Sequence, residues 1–144
     1  FHDGEMRGVP LRLEIGPKDV AKGTVALARR DRPGKEGRTF VPQEGLDRAV
    51  AELLEEIQRS LYQRALDFRH ANTRQPADYA AFQAAVEAGW AEAWWCGEAE
   101  CEAAIQQDTK ATTRNIPFDQ PGGAGTCIHC GKPATEVAVF ARAY

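Results

Sequence analysis

No stretch of this sequence approaches the roughly 18 consecutive apolar residues that a membrane-spanning helix needs. The opening FHDGEMRGVP has no apolar core of the kind a secretory signal carries. It also lacks an initiating methionine, so a fragment or processed piece of a longer chain is expected. Internal repeats and low-complexity tracts are absent. Net charge is small, −3 with a pI of about 5.7, so the overall balance does not advertise a polyanion-binding protein. Cysteine is scarce: four residues and no secretory signal argue against a disulfide framework. A cytoplasmic location is expected, where paired cysteines serve metal or redox chemistry. What is present suits a globular protein. Of 144 residues, 43% are hydrophobic and 27% charged, enough for one ordinary domain or two small ones.

Charge is unevenly placed. Residues 1–43 hold nine Lys/Arg against six Asp/Glu, and residues 44–144 hold nine against fifteen. A basic beginning and an acidic remainder would let the first part alone meet a polyanion. Ordinary scatter of surface charge explains the same numbers.

Hydrophobic periodicity outlines an α+β chain. VPLRLEIG (9–16) alternates Val9, Leu11, Leu13 and Ile15 against polar neighbours, the mark of a strand with one buried face. PKDVAKG (17–23) reads as a turn or short helix. TVALARRD (24–31) reads as a second strand, with Val25 and Leu27 inward and Arg29 continuing that face outward. A charged Gly/Pro loop follows, and TFVP adds a brief strand. The strongest signal is helical. Leu46, Val50, Leu53, Leu54, Ile57, Leu61, Ala65 and Phe68 mostly fall at steps of three and four. The helix is expected from about Gln43 to Ala71, roughly 40 Å at about 1.5 Å per residue, with Glu55 and Arg59 as a surface pair. Asp78 would cap a shorter helix whose buried stripe is Tyr79, Phe82 and Val86, stopped by Gly89. Beyond it come a Trp-rich strand (90–96), a helix (98–110), a strand (112–118), a loop (119–126) and a last strand (136–144). In that last strand Val137, Val139 and Ala141 share a face. Trp90, Trp94 and Trp95 are expected to build this part's core.

The cysteines fall in two pairs, WWCGEAEC and GTCIHCGKPA, giving C-x4-C, 25 intervening residues, then C-x2-C. Four thiolates in two close pairs, Cys96 with Cys101 and Cys127 with Cys130, suit one tetrahedral structural Zn per chain. Gly97 and Gly131 directly follow a cysteine, where the backbone must curl toward the sulfurs. A redox C-x-x-C normally opens a helix, and GKPA after Cys130 does not. Four buried free thiols are the plainer alternative. A saturated ligand set leaves no open position for catalysis at the metal. His129, inside the second pair, reads as a spectator, with outer-shell or substitute ligation as the lesser alternative.

Taken together, FHDGEMRGVPLRLEIGPKDVAKGTVALARRD, WCGEAECEAAI, TTRNIPFD, CIHCGKPA and the ending VFARAY resemble the C-terminal part of prolyl-tRNA synthetase. The form they resemble is the archaeal- and eukaryote-like one, with a C-terminal zinc-binding domain. The resemblance covers essentially the whole chain in the same order. It implies three parts. Residues 1–43 would be the second half of a class II anticodon-binding α/β domain, 44–72 a linking helix, and 73–144 a small α+β zinc-binding domain. The parent enzyme would join proline to its tRNA, tRNA(Pro), at the expense of ATP and Mg, and would be a homodimer. Its catalytic domain lies outside this sequence, so no catalytic residue is expected here and the piece alone should be inactive.

By resemblance, the anticodon meets residues 1–19. Phe1 would stack a base. Glu5 would accept from guanine N1 and N2 on the Watson–Crick edge. Arg12 and Lys18 would donate to O6, N7 or phosphate. Asp19 is a second acceptor, and Glu14 shares the polar strand face with Arg12. Without the resemblance, Arg12, Glu14, Lys18 and Asp19 read as a solvated strand face and turn. The family's usual Trp and Leu are replaced by Gly4 and Met6, which removes a large ring beside Phe1 and Glu5. Tyr144 would direct the terminal carboxylate toward the catalytic domain. A free-standing zinc-containing module that binds protein or RNA is the alternative reading.

Overall fold

The computed structural model describes residues 2–142, the side chain of His2 aside. The chain is α+β and divides into two compact units, Phe1–Asp67 and Phe68–Tyr144.

The first unit opens with a short helix α1 (His2–Met6), followed by β1 (Leu11–Glu14), α2 (Pro17–Lys22), β2 (Thr24–Arg29) and β3 (Arg38–Pro42). The helix α3 (Leu46–Asn72) comes next and runs past the unit boundary. The three strands form an antiparallel sheet in the order β1-β2-β3. Alternation sorts its faces. Leu11, Val25 and Leu27 are buried with Ile57 of α3, and Val41, Leu46, Val50, Leu53 and Leu61 pack around them. At Gly23 the chain turns from α2 into β2 through a left-handed conformation (φ 62°), which glycine adopts without strain.

Two expectations change in this unit. Of the apolar face of 9–16, only Leu11 is buried; Val9, Leu13 and Ile15 are 44%, 43% and 57% exposed. β1 is an edge strand, and the apolar stripe of α3 reaches the sheet over Leu11, Val25 and Leu27 but not over Leu13. Arg29 does not lead outward. It is buried and bonds Asp31 through two parallel contacts, Nε to Oδ1 at 2.9 Å and Nη2 to Oδ2 at 2.7 Å. Its Nη1 reaches Glu56 Oε1 of α3 at 2.8 Å. The hydrogen bond from Arg29 holds the Asp31 carboxyl down at about 2, against the opposing push of burial, with Ser60 as a further donor. Arg64 closes the group by donating to the Asp31 carbonyl at 2.8 Å. On the surface of α3 the ion pair is Arg48–Glu52 at 2.8 Å; among the described residues Glu55 and Arg59 form none.

The second unit holds β4 (Thr73–Arg74), α4 (Tyr79–Ala88), β5 (Trp90–Trp95), α5 (Ala99–Thr109), β6 (Ala111–Asn115), β7 (Gly125–Thr126), β8 (Pro133–Ala134) and β9 (Glu136–Arg142). A four-stranded sheet runs β4-β5-β9-β6, with β4 parallel to β5 and the other pairs antiparallel. β7 and β8 make a separate hairpin. Asp78 caps α4 as expected, its carboxylate accepting the Ala81 N–H at 2.8 Å. The core is built on small residues. Ala91 and Ala93 of β5 face Phe140 and Ala138 of β9, and Phe82, Val86 and Ile105 fill the space above them. Phe82 and Phe140 meet edge to face at 5.2 Å.

Here too the expected faces shift. The fully buried residues of β9 are Ala138 and Phe140, with Ala141 beside them, while Val137 and Val139 lie half-buried on the other side. β9 is an inner strand and apolar on both faces, so alternation of valines does not reveal which face meets the helices. The tryptophans flank the core instead of building it. Trp94 and Trp95 are partly buried against it, and Trp90 meets Phe68 edge-on at 5.8 Å.

Candidate metal centre and candidate RNA-facing surface

Each cysteine pair is presented by a bend next to regular structure. Cys96 directly follows β5, and the chain turns at Gly97 (φ 79°) so that Cys101 returns in the first turn of α5. Cys127 follows β7, Gly131 (φ 72°) lets the chain reverse, and Gly131 N–H donates to the Cys127 carbonyl at 3.0 Å. Cys127 N–H returns to the Lys132 carbonyl at 2.8 Å, and Ile128 N–H to the Trp94 carbonyl at 3.0 Å. The second loop is thus stitched to the strand that carries the first pair.

The four sulfurs lie within 4.8 Å of one another. Cys101 and Cys127 are 3.5 Å apart and Cys96 and Cys130 3.7 Å. None is joined in a disulfide. A tetrahedron with metal–sulfur bonds of about 2.3 Å has edges of about 3.8 Å, so the spacing matches that ligand set. Burial drives the Cys101 thiol upward, helped by Cys127. At Cys127 burial also pushes upward, but backbone donors from Cys130, His129 and Cys96 outweigh it and bring the thiol down to about 6. N–H groups aimed at a sulfur favour the thiolate that a metal binds.

His129 sits outside this set, its Nδ1 3.4 Å from Cys101 Sγ. The ring is held edge-on by Tyr79 at 5.1 Å, and Tyr79 donates to Asp108 at 3.1 Å. Burial and that bond raise the Tyr79 hydroxyl to about 12. Tyr79 was expected only as part of a helix stripe; no spacing rule connects it to a cysteine loop 50 residues away.

The other candidate surface is the sheet face of the first unit turned away from the core. Arg12 Nε meets Glu14 Oε1 at 2.9 Å, and Arg12 Nη1 lies 3.6 Å from Glu5 Oε1 of α1. Glu5, Arg12 and Glu14 are thus brought together. Glu14 also binds Arg38 of β3 at 2.6 Å, a partner that no sequence motif points to. Lys18 is exposed on α2, and the Asp19 carboxylate accepts the Gly16 N–H at 2.9 Å, which commits it to the start of that helix. A β-carbon at Gly4 would meet only Val9, at 3.8 Å, so a larger side chain finds room there. Phe1 and Tyr144 lie outside the described residues. Among the described residues no helix is long and apolar enough to cross a membrane.

Comparison with known proteins divides the chain in the same sense. Residues 1–60 match the family described as "Anticodon binding domain", and residues 79–144 match "Prolyl-tRNA synthetase, C-terminal". Over 144 residues the chain is 54% identical to a "Proline--tRNA ligase" of Roseiflexus castenholzii, covering all of this chain and 30% of that protein. A relative of the same name from Oceanobacillus iheyensis is 45% identical, again over all of this chain and 30% of its own length. "Proline--tRNA ligase, chloroplastic/mitochondrial" of Arabidopsis thaliana is 43% identical, with all of this chain and 27% of that protein covered. The chain therefore spans about a third of the length of the relatives it matches. Matches of this extent leave the free-standing module without support.

Proposed function

As a member of the prolyl-tRNA synthetase family, represented by its C-terminal region, this chain, we propose, serves proline–tRNA ligation from the anticodon end. The observation that carries the reading is the Glu5–Arg12–Glu14 group on an open sheet face, within the segment that matches anticodon-binding domains. Glu5 accepts from the N1 and N2 positions of an anticodon guanine, as readers of splayed single-stranded RNA do. Arg12 and Lys18 donate to O6, N7 or phosphate. Asp19 keeps α2 in place beside them while offering a second acceptor, and Phe1 stacks a neighbouring base. In this reading residues 1–43 are the anticodon-facing half, 44–72 the linking helix and 73–144 the zinc-binding part.

Cys96, Cys101, Cys127 and Cys130 hold one zinc ion. Four thiolates saturate it, so its contribution is to the fold. The bonds that make prolyl-tRNA, with their ATP and Mg, belong to the catalytic part of the parent enzyme, which works as a cytoplasmic homodimer. Tyr144 directs the terminal carboxylate toward that part.

Replacing Glu5 with Ala in the full-length enzyme tests the anticodon reading. Discrimination between tRNA(Pro) and a tRNA with altered anticodon guanines should fall more than affinity for an unrelated tRNA; equal losses on both would reject it. Metal analysis of freshly purified protein should find one zinc per chain, lost in Cys101→Ser. Stoichiometric metal retained by that variant, or absent from the wild type, would remove the metal assignment.

A further inference from the structure

The outer face of the β1-β2-β3 sheet reaches beyond the residues of its first 19 positions. Cross-strand register aligns Arg12, Ala28 and Arg38 in one row and Glu14, Ala26 and Phe40 in the next. In these two rows the central strand offers only the methyls of Ala26 and Ala28, so the longer side chains of the two outer strands lie over it. Ala26, between Glu14 and Phe40, is fully covered. Glu14 bonds both guanidinium groups, Arg12 at 2.9 Å and Arg38 at 2.6 Å. It therefore fixes their separation across the sheet. Arg38 in turn lies over the Phe40 ring, 5.4 Å from its centre. That ring is 60% exposed, while Val41, next in sequence, packs into the core.

A cleft of about 500 Å³ opens beside the arginine row, lined among others by Gly4, Glu5, Arg30 and Pro33. Arg12, Arg30 and Arg38 line it with Glu5, Arg29 being committed inside to Asp31; Glu14 offsets part of the charge of Arg12 and Arg38 and leaves a small cationic excess. Arg30 is steadied by donating to the Gly8 carbonyl at 3.2 Å. An open aromatic ring, a planar cation fixed beside it and a cationic cleft together fit single-stranded nucleic acid. The ring offers a π-face to any base, and the guanidinium groups meet phosphate. An apolar peptide would use the ring but gain nothing from the arginines.

We propose that Arg38 and Phe40 carry the RNA-binding surface onto β3, with Phe40 stacking an unpaired base of the anticodon loop and Arg38 holding the adjoining phosphate. Glu14 acts as the positioning residue that sets Arg38 against Arg12. The inference rests on the reading of residues 1–19 as anticodon-facing.

The test uses the whole chain and two hairpin RNAs, one with the proline anticodon loop and one with its anticodon guanines replaced by adenines. Dissociation constants come from fluorescence anisotropy. Phe40→Leu should weaken both hairpins by about ten-fold, because stacking is tolerant of base identity, and leave their ratio unchanged. Phe40→Trp should restore the affinity. If Phe40→Leu binds like the wild type while Arg12→Ala loses affinity, the β3 extension is overturned and the anticodon reading stands. If neither variant changes binding, or the wild type binds neither hairpin, both are overturned.

Discussion

Asp31 is the residue on which the first unit most depends for its response to acid. Its carboxylate is buried, doubly bonded to Arg29 and held down at about 2. The folded state thus binds this proton less tightly than the unfolded chain, where an aspartate titrates near 4. The resulting stability is complete above the unfolded value and drains away as pH falls from about 5 toward 2. A depression of this size is worth on the order of 2–3 kcal/mol. The urea midpoint of this unit, followed by hydrogen exchange, should therefore drop most steeply between about pH 4 and pH 2. Asp31→Asn should be less stable at neutral pH and should flatten that drop; an unaltered slope would show that the carboxylate does not supply it. Asp31→Ala should cost more than Asp31→Asn, because it leaves Nε and Nη2 of the buried Arg29 without an acceptor and Glu56 as its remaining carboxylate partner.

At the scale of elements, the hairpin of β7 and β8 is the piece that brings Cys127 to its partners. It lies close against Trp94 because Gly125 has no side chain: a β-carbon there would come within 2.2 Å of the indole. Gly125→Ala must push the hairpin outward or displace a ring that packs on the core. A loss of about 1–3 kcal/mol is expected from such overpacking, read as a lower melting temperature. If the four cysteines hold zinc as proposed, the metal should also pass more readily to a competing chelator. A variant that melts and holds metal like the wild type would show that the hairpin can give way freely. This hairpin is also where the sequence was least informative. Two-residue strands rich in Gly and Pro carry no periodicity, and the same is true of Thr73–Arg74 and of the five-residue α1. The long stripe of α3, the Asp78 cap and the alternation of β1 and β2 announced those elements clearly. What alternation could not supply was which side is covered. Leu13 and the β9 valines look buried in sequence, and only an edge position or an apolar pair of faces decides otherwise. Cysteine spacing named the four sulfurs that lie together. His129 was visible only as a neighbour, Tyr79 only as a core residue, and Arg38 and Phe40 came into view through strand register.

For the molecule as a whole, charge is segregated along the chain: residues 1–43 carry the basic excess and residues 44–144 the acidic one. If the RNA-facing arginines lie on the first unit's sheet, the salt dependence of binding should come from there alone. Each phosphate contact on single-stranded RNA contributes about 0.7 to the slope of log affinity against log salt. Arg38→Ala should reduce the slope by about that amount, whereas Arg114→Ala, an exposed cation on β6, should leave it unchanged. Anisotropy titrations of the proline anticodon hairpin across a salt series measure both. A slope that falls with Arg114 but not with Arg38 would place the polyanion on the second unit, against the charge distribution and against the anticodon reading. A slope indifferent to both would mean that other cations neutralise the RNA. On the proposed reading, the local charge around the sheet face, not the net −3 of the chain, would steer an anticodon loop, because screening confines each charge to about 10 Å at ordinary ionic strength.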